Sequence, residues 1–139
     1  MFRLYSKGCE YALRALTGIP LDRVEDKISA IDLCAAAGIP EPFTRKALQV
    51  LSQTGFLKAV PGPGGGYRLT RHPKEITLLE IVLAVDGKDT FDGCLMGLAQ
   101  CNDRKPCPVH ETWKGVKGQL LKKLERKTLY ELMKVQQLG

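Results

Sequence analysis

Apolar and charged positions run along the chain in blocks of helical period, separated by glycine and proline. Residues 5–17 set Tyr11, Leu13, Ala15 and Leu16 against Lys7 and Arg14 and predict a first helix that stops near Gly18-Ile19-Pro20. Residues 21–28, LDRVEDKI, read as a charged connector or a short strand around Lys27-Ile28. Ser29 is placed to cap a short helix, SAIDLCAAAG, with Ile31, Cys34 and Ala35 on one face and Gly38 at its end. Beyond Ile39-Pro40-Glu41, the stretch EPFTRKALQVLSQTG predicts a longer helix that buries Phe43, Ala47, Leu48 and Leu51 and ends at Gly55. Its other face carries Thr44, Arg45, Lys46, Gln49 and Ser52.

A short helix, a glycine turn and a longer helix form either a helix-turn-helix or an αα-hairpin of a bundle. The next stretch favours the former. FLKAVPGPGGGYRLTR has the pattern of two strands around a Gly/Pro turn, and a hairpin directly after the second helix makes a winged helix-turn-helix. GPGGG is no nucleotide-phosphate loop, because no Lys-Ser or Lys-Thr follows it.

Thr77 and Glu80 stand at capping-box spacing and open ITLLEIVLAVDG, which runs to Gly87. After a cysteine-containing segment, HETWKGVKGQLLKKLERK predicts a long helix with a narrow stripe of Trp113, Val116, Leu120 and Leu124. Gly115 and Gly118 weaken it as an isolated helix, so it needs a partner surface, either its own copy in a dimer or its own domain. Thr128 and Glu131 cap a last short helix, TLYELM. The expected fold is mostly α with a small β-hairpin wing. It divides into a DNA-binding domain over residues 1–87, a cysteine loop over 88–108, and a dimerisation helix with a short terminal helix over 109–139.

The chain has 139 residues and carries 21 Lys and Arg against 15 Asp and Glu, a net charge of +6. That balance favours an anionic partner, nucleic acid first. No segment has the ~20 apolar residues of a membrane helix, and the N-terminal stretch has no small-residue cleavage site. A cytoplasmic location is the expectation, and in a reducing compartment clustered thiols read as metal-binding or redox-active before disulfides.

The thiols in question are Cys94, Cys101 and Cys107, spaced C-x6-C-x5-C, with His110 three residues beyond the last. Three chemistries suit them: an iron–sulfur cluster, a Cys₃His zinc site, or a disulfide with one spare thiol. No close C-x2-C pair favours zinc. No dinucleotide fingerprint or nucleophile–base pair supports an enzyme.

SKGCEYALRAL, VPGPGGGYRL, ITLLEIVLAVDG, the cysteine segment ending CPVHETW, and TLYEL occur in one order. In these stretches the chain closely resembles the IscR/NsrR/CymR family of bacterial winged-helix transcription regulators. The resemblance implies a homodimer joined by the long C-terminal helix and a roughly palindromic double-stranded DNA operator. It also implies, for many members, an iron–sulfur cluster, [2Fe–2S] or [4Fe–4S], whose state sets DNA affinity. Members without clusters exist, and a regulator using the cysteines as direct thiol sensors, or answering to a partner protein, is the alternative.

On this reading Thr44, Arg45, Lys46 and Gln49 face the major groove, with Lys7 at the start of the first helix beside the DNA. In the wing, Pro61 stands where many relatives have arginine, which implies either weaker minor-groove readout or a shift of that work to Lys58 and Arg68, while Gly64 and Gly65 bring backbone close to phosphate. Tyr67 anchors the wing by packing. Cys94, Cys101 and Cys107 hold three cluster positions. His110 is the favoured fourth ligand, and Glu10, from the first helix of the partner subunit, is the alternative. Cys9 is not expected to be a ligand, and Cys34 is expected to be a small buried hydrophobe.

Overall fold

A computed structural model describes residues 4–139. Six helices and one hairpin succeed one another: α1 (Lys7–Thr17), α2 (Ala30–Ala37), α3 (Glu41–Gln53), β1 (Leu57–Val60), β2 (Gly66–Leu69), α4 (Leu78–Asp86), α5 (His110–Arg126) and α6 (Leu129–Leu138). Four of these helices start at hydroxyl caps. Ser6, Ser29, Thr77 and Thr128 accept the backbone N–H of Cys9, Asp32, Glu80 and Glu131, satisfying donors that a helix start leaves free.

α1 lies at the centre and touches α2, α3, α4 and α6. Its Ala12, Ala15 and Leu16 pack with Leu33, Leu48, Leu51, Ile81, Leu129 and Met133 in one core. The turn between α2 and α3 rests on Gly38, at φ +69°, and the Arg14 guanidinium donates to the Ala37 and Gly38 carbonyls at 3.4 Å. Those carbonyls end α2 without an in-helix donor, so α1 closes the helix-turn-helix from behind.

Two faces differ from the sequence expectation. In α2 the buried residues are Leu33 and Ala37, whereas Ile31 is 72% exposed and Cys34 is half-buried. An eight-residue helix seats one narrow arc, and this one seats the i, i+4 pair. In α3 the inward arc is centred on Thr44, Ala47, Leu48 and Leu51. Thr44 is fully buried because its hydroxyl donates to the Pro40 carbonyl, which satisfies the only polar group its side chain brings inside. Phe43 is displaced to the flank, 48% exposed, where its ring stacks on Tyr11 at 5.2 Å between centroids.

The wing is antiparallel, with Leu57 opposite Leu69 and Val60 opposite Gly66. The connector supplies a third short rung, since Ile28 and Tyr67 exchange two backbone hydrogen bonds of 2.8 Å. Close crossings explain two of the wing glycines. A Cβ on Gly65 would lie 2.1 Å from the Val60 carbonyl oxygen, and one on Gly66 2.2 Å from that of Ile28.

α4 and α6 begin side by side. Leu78 N–H donates to Lys127 O at 2.9 Å and Leu129 N–H to Ile76 O at 2.8 Å, across a bridge between the cap residues Thr77 and Thr128. α6 is longer than TLYELM. It reaches Leu138, and Gln137 bonds the Thr17 and Ile19 carbonyls and the Leu21 N–H, pinning α6 to the end of α1. This helix, grouped with the dimerisation helix by the sequence, packs in the main core. α5 lies on α4, with Leu120, Leu121 and Leu124 around Val82 and Phe91, while Val116 stays outside.

Glu80 closes the α4 cap by accepting Thr77 N–H at 3.0 Å and pairing with Arg71. Burial raises its carboxyl, but these partners outweigh that and hold it below the usual range. Its stabilising effect is therefore complete above the unfolded carboxylate value of about 4.3 and is lost as pH falls through the depressed folded value. Thr77→Ala is expected to cost about 1 kcal/mol in urea unfolding at neutral pH. Glu80→Gln is expected to flatten the acid limb of stability, measured by unfolding at a series of pH values.

Candidate functional site

Two surfaces hold the predicted site residues. On α3, Pro42, Arg45, Lys46 and Gln49 are exposed along one arc. Thr44, expected among them, points into the core and is removed from the base-facing set. Arg45 Nε donates to Glu41 at 2.6 Å, one turn earlier, which leaves its terminal amino groups outward. Lys7 sits in the first turn of α1, 2.9 Å from Glu10 and 5.2 Å from the centre of the Tyr11 ring.

On the wing, Lys58 and Arg68 are directly opposite in the strand register and both exposed. Like charges so placed repel, and neither has a carboxylate ion pair among the described residues. They line one cleft with Arg71 and His72. Gly64 is exposed at the wing tip at φ +72°; Gly65 lies beneath it, half-buried. Tyr67 packs against the main core.

The second surface is the loop between α4 and α5. Phe91 is buried beside Val82, and Trp113 Nε1 donates to the Gly93 carbonyl at 3.3 Å, so the loop is anchored on both helices. From there the loop brings Cys94, Cys101 and Cys107 together, their sulfur atoms all within 4.8 Å of one another. Cys94 and Cys107 are 3.7 Å apart, and Cys107 N–H donates to Cys101 Sγ at 3.4 Å. His110, the first residue of α5, places Nδ1 3.3 Å from Cys101 Sγ. The group lines an open cleft of about 300 Å³.

Glu10 is not in this group; it lies on α1 beside Lys7. Cys9 is fully buried, and burial, followed by the Asp86 charge, pushes its thiol up to about 12. A thiol so protonated is a poor ligand. Within the loop the thiols differ. The Leu98 N–H, helped by Met96 and the neighbouring thiols, brings Cys94 down to about 7. At Cys101 the Cys107 N–H lowers the value, but burial and the two neighbouring thiols outweigh it and hold the group above the ordinary range.

Asp103 and Lys114 also belong to this site and were not singled out in the sequence. Asp103 Oδ1 lies 3.0 Å from His110 Nε2, and Lys114 Nζ reaches both carboxylate oxygens at 3.2 and 3.4 Å. Neither residue sits in a motif, and only the folded loop makes them neighbours. Three converging sulfurs with an imidazole nitrogen beside them are a donor set that fits an iron–sulfur cluster, and equally a tetrahedral zinc ion.

The helix-turn-helix, its wing and the thiol loop define a winged-helix transcription regulator rather than an enzyme. The chain belongs to the Rrf2 family, described as iron-dependent transcriptional regulator, whose model matches residues 5–135. It is 30% identical over 132 residues to the HTH-type transcriptional regulator IscR of Vibrio atlanticus, covering 95% of this chain and 75% of that one. It is 31% identical over 131 residues to IscR of Aliivibrio salmonicida, covering 94% and 77%. Among solved structures, IscR of T. potens superposes with a TM-score of 0.71 at 23% identity, covering 95% of this chain and 87% of that one. CymR, the global cysteine regulator of B. subtilis, superposes with a TM-score of 0.75 at 19% identity, covering 97% and 98%.

Iodoacetamide labelling of the metal-free protein near neutral pH is expected to modify Cys94 before Cys101, and Cys9 only on unfolding. Peptide mapping over time reads the order.

Proposed function

We propose that the chain is a cytoplasmic, homodimeric DNA-binding regulator whose operator affinity depends on an iron–sulfur cluster held by Cys94, Cys101, Cys107 and His110. The observation that carries this reading is the convergence of the three sulfurs with His110 Nδ1 at the head of α5. A bound cluster supplies a redox couple and a nitrogen-ligated corner more labile than thiolate. Glu10 of the partner subunit is the alternative fourth ligand.

The chain's own residues do the rest. Arg45 and Gln49 offer hydrogen bonds to guanine and adenine edges, and Lys46 reaches base or phosphate. Lys58 and Arg68 face the backbone beside the wing; a phosphate between them relieves their mutual repulsion. Val116 and the outer face of α5, where Gly115 and Gly118 leave open space, meet the second copy.

A cluster-free thiol regulator is the second reading. The close approach of Cys94 to Cys107 and the lowered Cys94 thiol support it.

Anaerobic purification with iron and sulfide counts separates the readings. Stoichiometric iron and sulfide with a visible absorption band is expected. A colourless protein that resists reconstitution would contradict the cluster. With an operator selected from genomic fragments, Arg45→Ala is expected to cost about 1–3 kcal/mol and relax one base position. Lys58→Ala and Arg68→Ala should weaken all sequences alike and reduce the salt slope by about 1 each.

A further inference from the structure

An imidazole ligand must present a bare nitrogen to its metal, and the hydrogen bond at its other nitrogen decides which one is bare. In this loop that second bond is already built. Asn102 Oδ1 accepts the N–H groups of Arg104 and Lys105 at 2.9 Å, a tight turn with Asp103 at its tip. The Asp103 carboxylate meets His110 Nε2 at 3.0 Å, and Lys114, one turn along α5 from His110, grips the same carboxylate. The ring is mostly buried, with 16% of its side chain exposed, while the carboxylate sits at the rim.

We propose that Asp103 is a positioning residue for His110: it holds the Nε2 proton, so that Nδ1 faces the thiols bare, and Lys114 holds Asp103 in place. An ionised carboxylate only accepts, so Nε2 must donate. The remaining lone pair then lies on Nδ1, the atom 3.3 Å from Cys101 Sγ. The inference rests on the reading of His110 as the fourth ligand. It adds that the ligand nitrogen is Nδ1 and that a residue outside the C-x6-C-x5-C pattern selects it.

Two measurements test it, one needing no cluster. Long-range proton–nitrogen correlation spectra of the metal-free chain report the His110 tautomer; His72, the one other histidine, is identified by its own substitution. The Nε2–H form should dominate in the wild type and in Asp103→Asn, whose amide oxygen still accepts, and should give way to a mixture in Asp103→Ala. An unchanged tautomer in Asp103→Ala would overturn the proposal. In reconstituted protein, Asp103→Ala should release iron to a chelator about 10-fold or more faster, with altered electron paramagnetic resonance of the reduced state, and Asp103→Asn should restore both. Release rates and spectra equal to wild type in Asp103→Ala would also overturn it. A wild-type chain that takes up no cluster would sink the function proposed above, and the tautomer measurement would still decide the role of Asp103.

Discussion

Leu78 and Leu129 each give a backbone N–H across the junction of α4 and α6, and everything between them is an excursion from that clamp. The two cap residues, Thr77 and Thr128, face each other at the bridge, and each closes a capping box with its glutamate. Four otherwise orphaned donors are thus satisfied within one small region. Leu129 and Met133 then fill the core under α1, and Gln137 ties the far end of α6 to α1. α4, the cysteine loop and α5 therefore leave and return to one fixed place on the DNA-binding fold.

A second tether lies where the loop begins. Asp86, at the end of α4, accepts both the N–H and the hydroxyl of Ser6, the residue that caps α1. The carboxylate also sits favourably at the positive end of the α1 dipole. From α1 the contact passes to α3 through the Tyr11–Phe43 stack, and to the turn before α3 through Arg14. A change in the loop thus has a packed, hydrogen-bonded route to the helix that carries Arg45 and Gln49.

Much of this layout was legible in the sequence because its signals are local. Ser29, Thr77 and Thr128 declare helix starts by chemistry that reaches only three residues ahead, and Gly38 declares a stop by its left-handed conformation. Packing faces were less legible. Thr44 is polar and reads as an outward residue; it is buried because Pro40, fixed in place before α3, offers its carbonyl to the hydroxyl. Phe43 is apolar and reads as core, but the arc it occupies meets Tyr11 at the surface. The wing glycines are present in the motif, yet the tight crossing at Gly66 depends on Ile28, distant in sequence. The three cysteines were legible through spacing and resemblance, whereas Asp103 carries no pattern at all and becomes a partner of His110 only when the loop is folded.

On the proposed function, the cysteine loop and the face carrying Arg45 and Gln49 are thermodynamically linked. The direct measurement is the operator affinity of the same protein with and without cluster, at fixed salt, on an operator selected with the loaded form. The two affinities are expected to differ about 5–150-fold, the usual range of coupling between sites. Equal affinities of the two forms on every selected operator would contradict it.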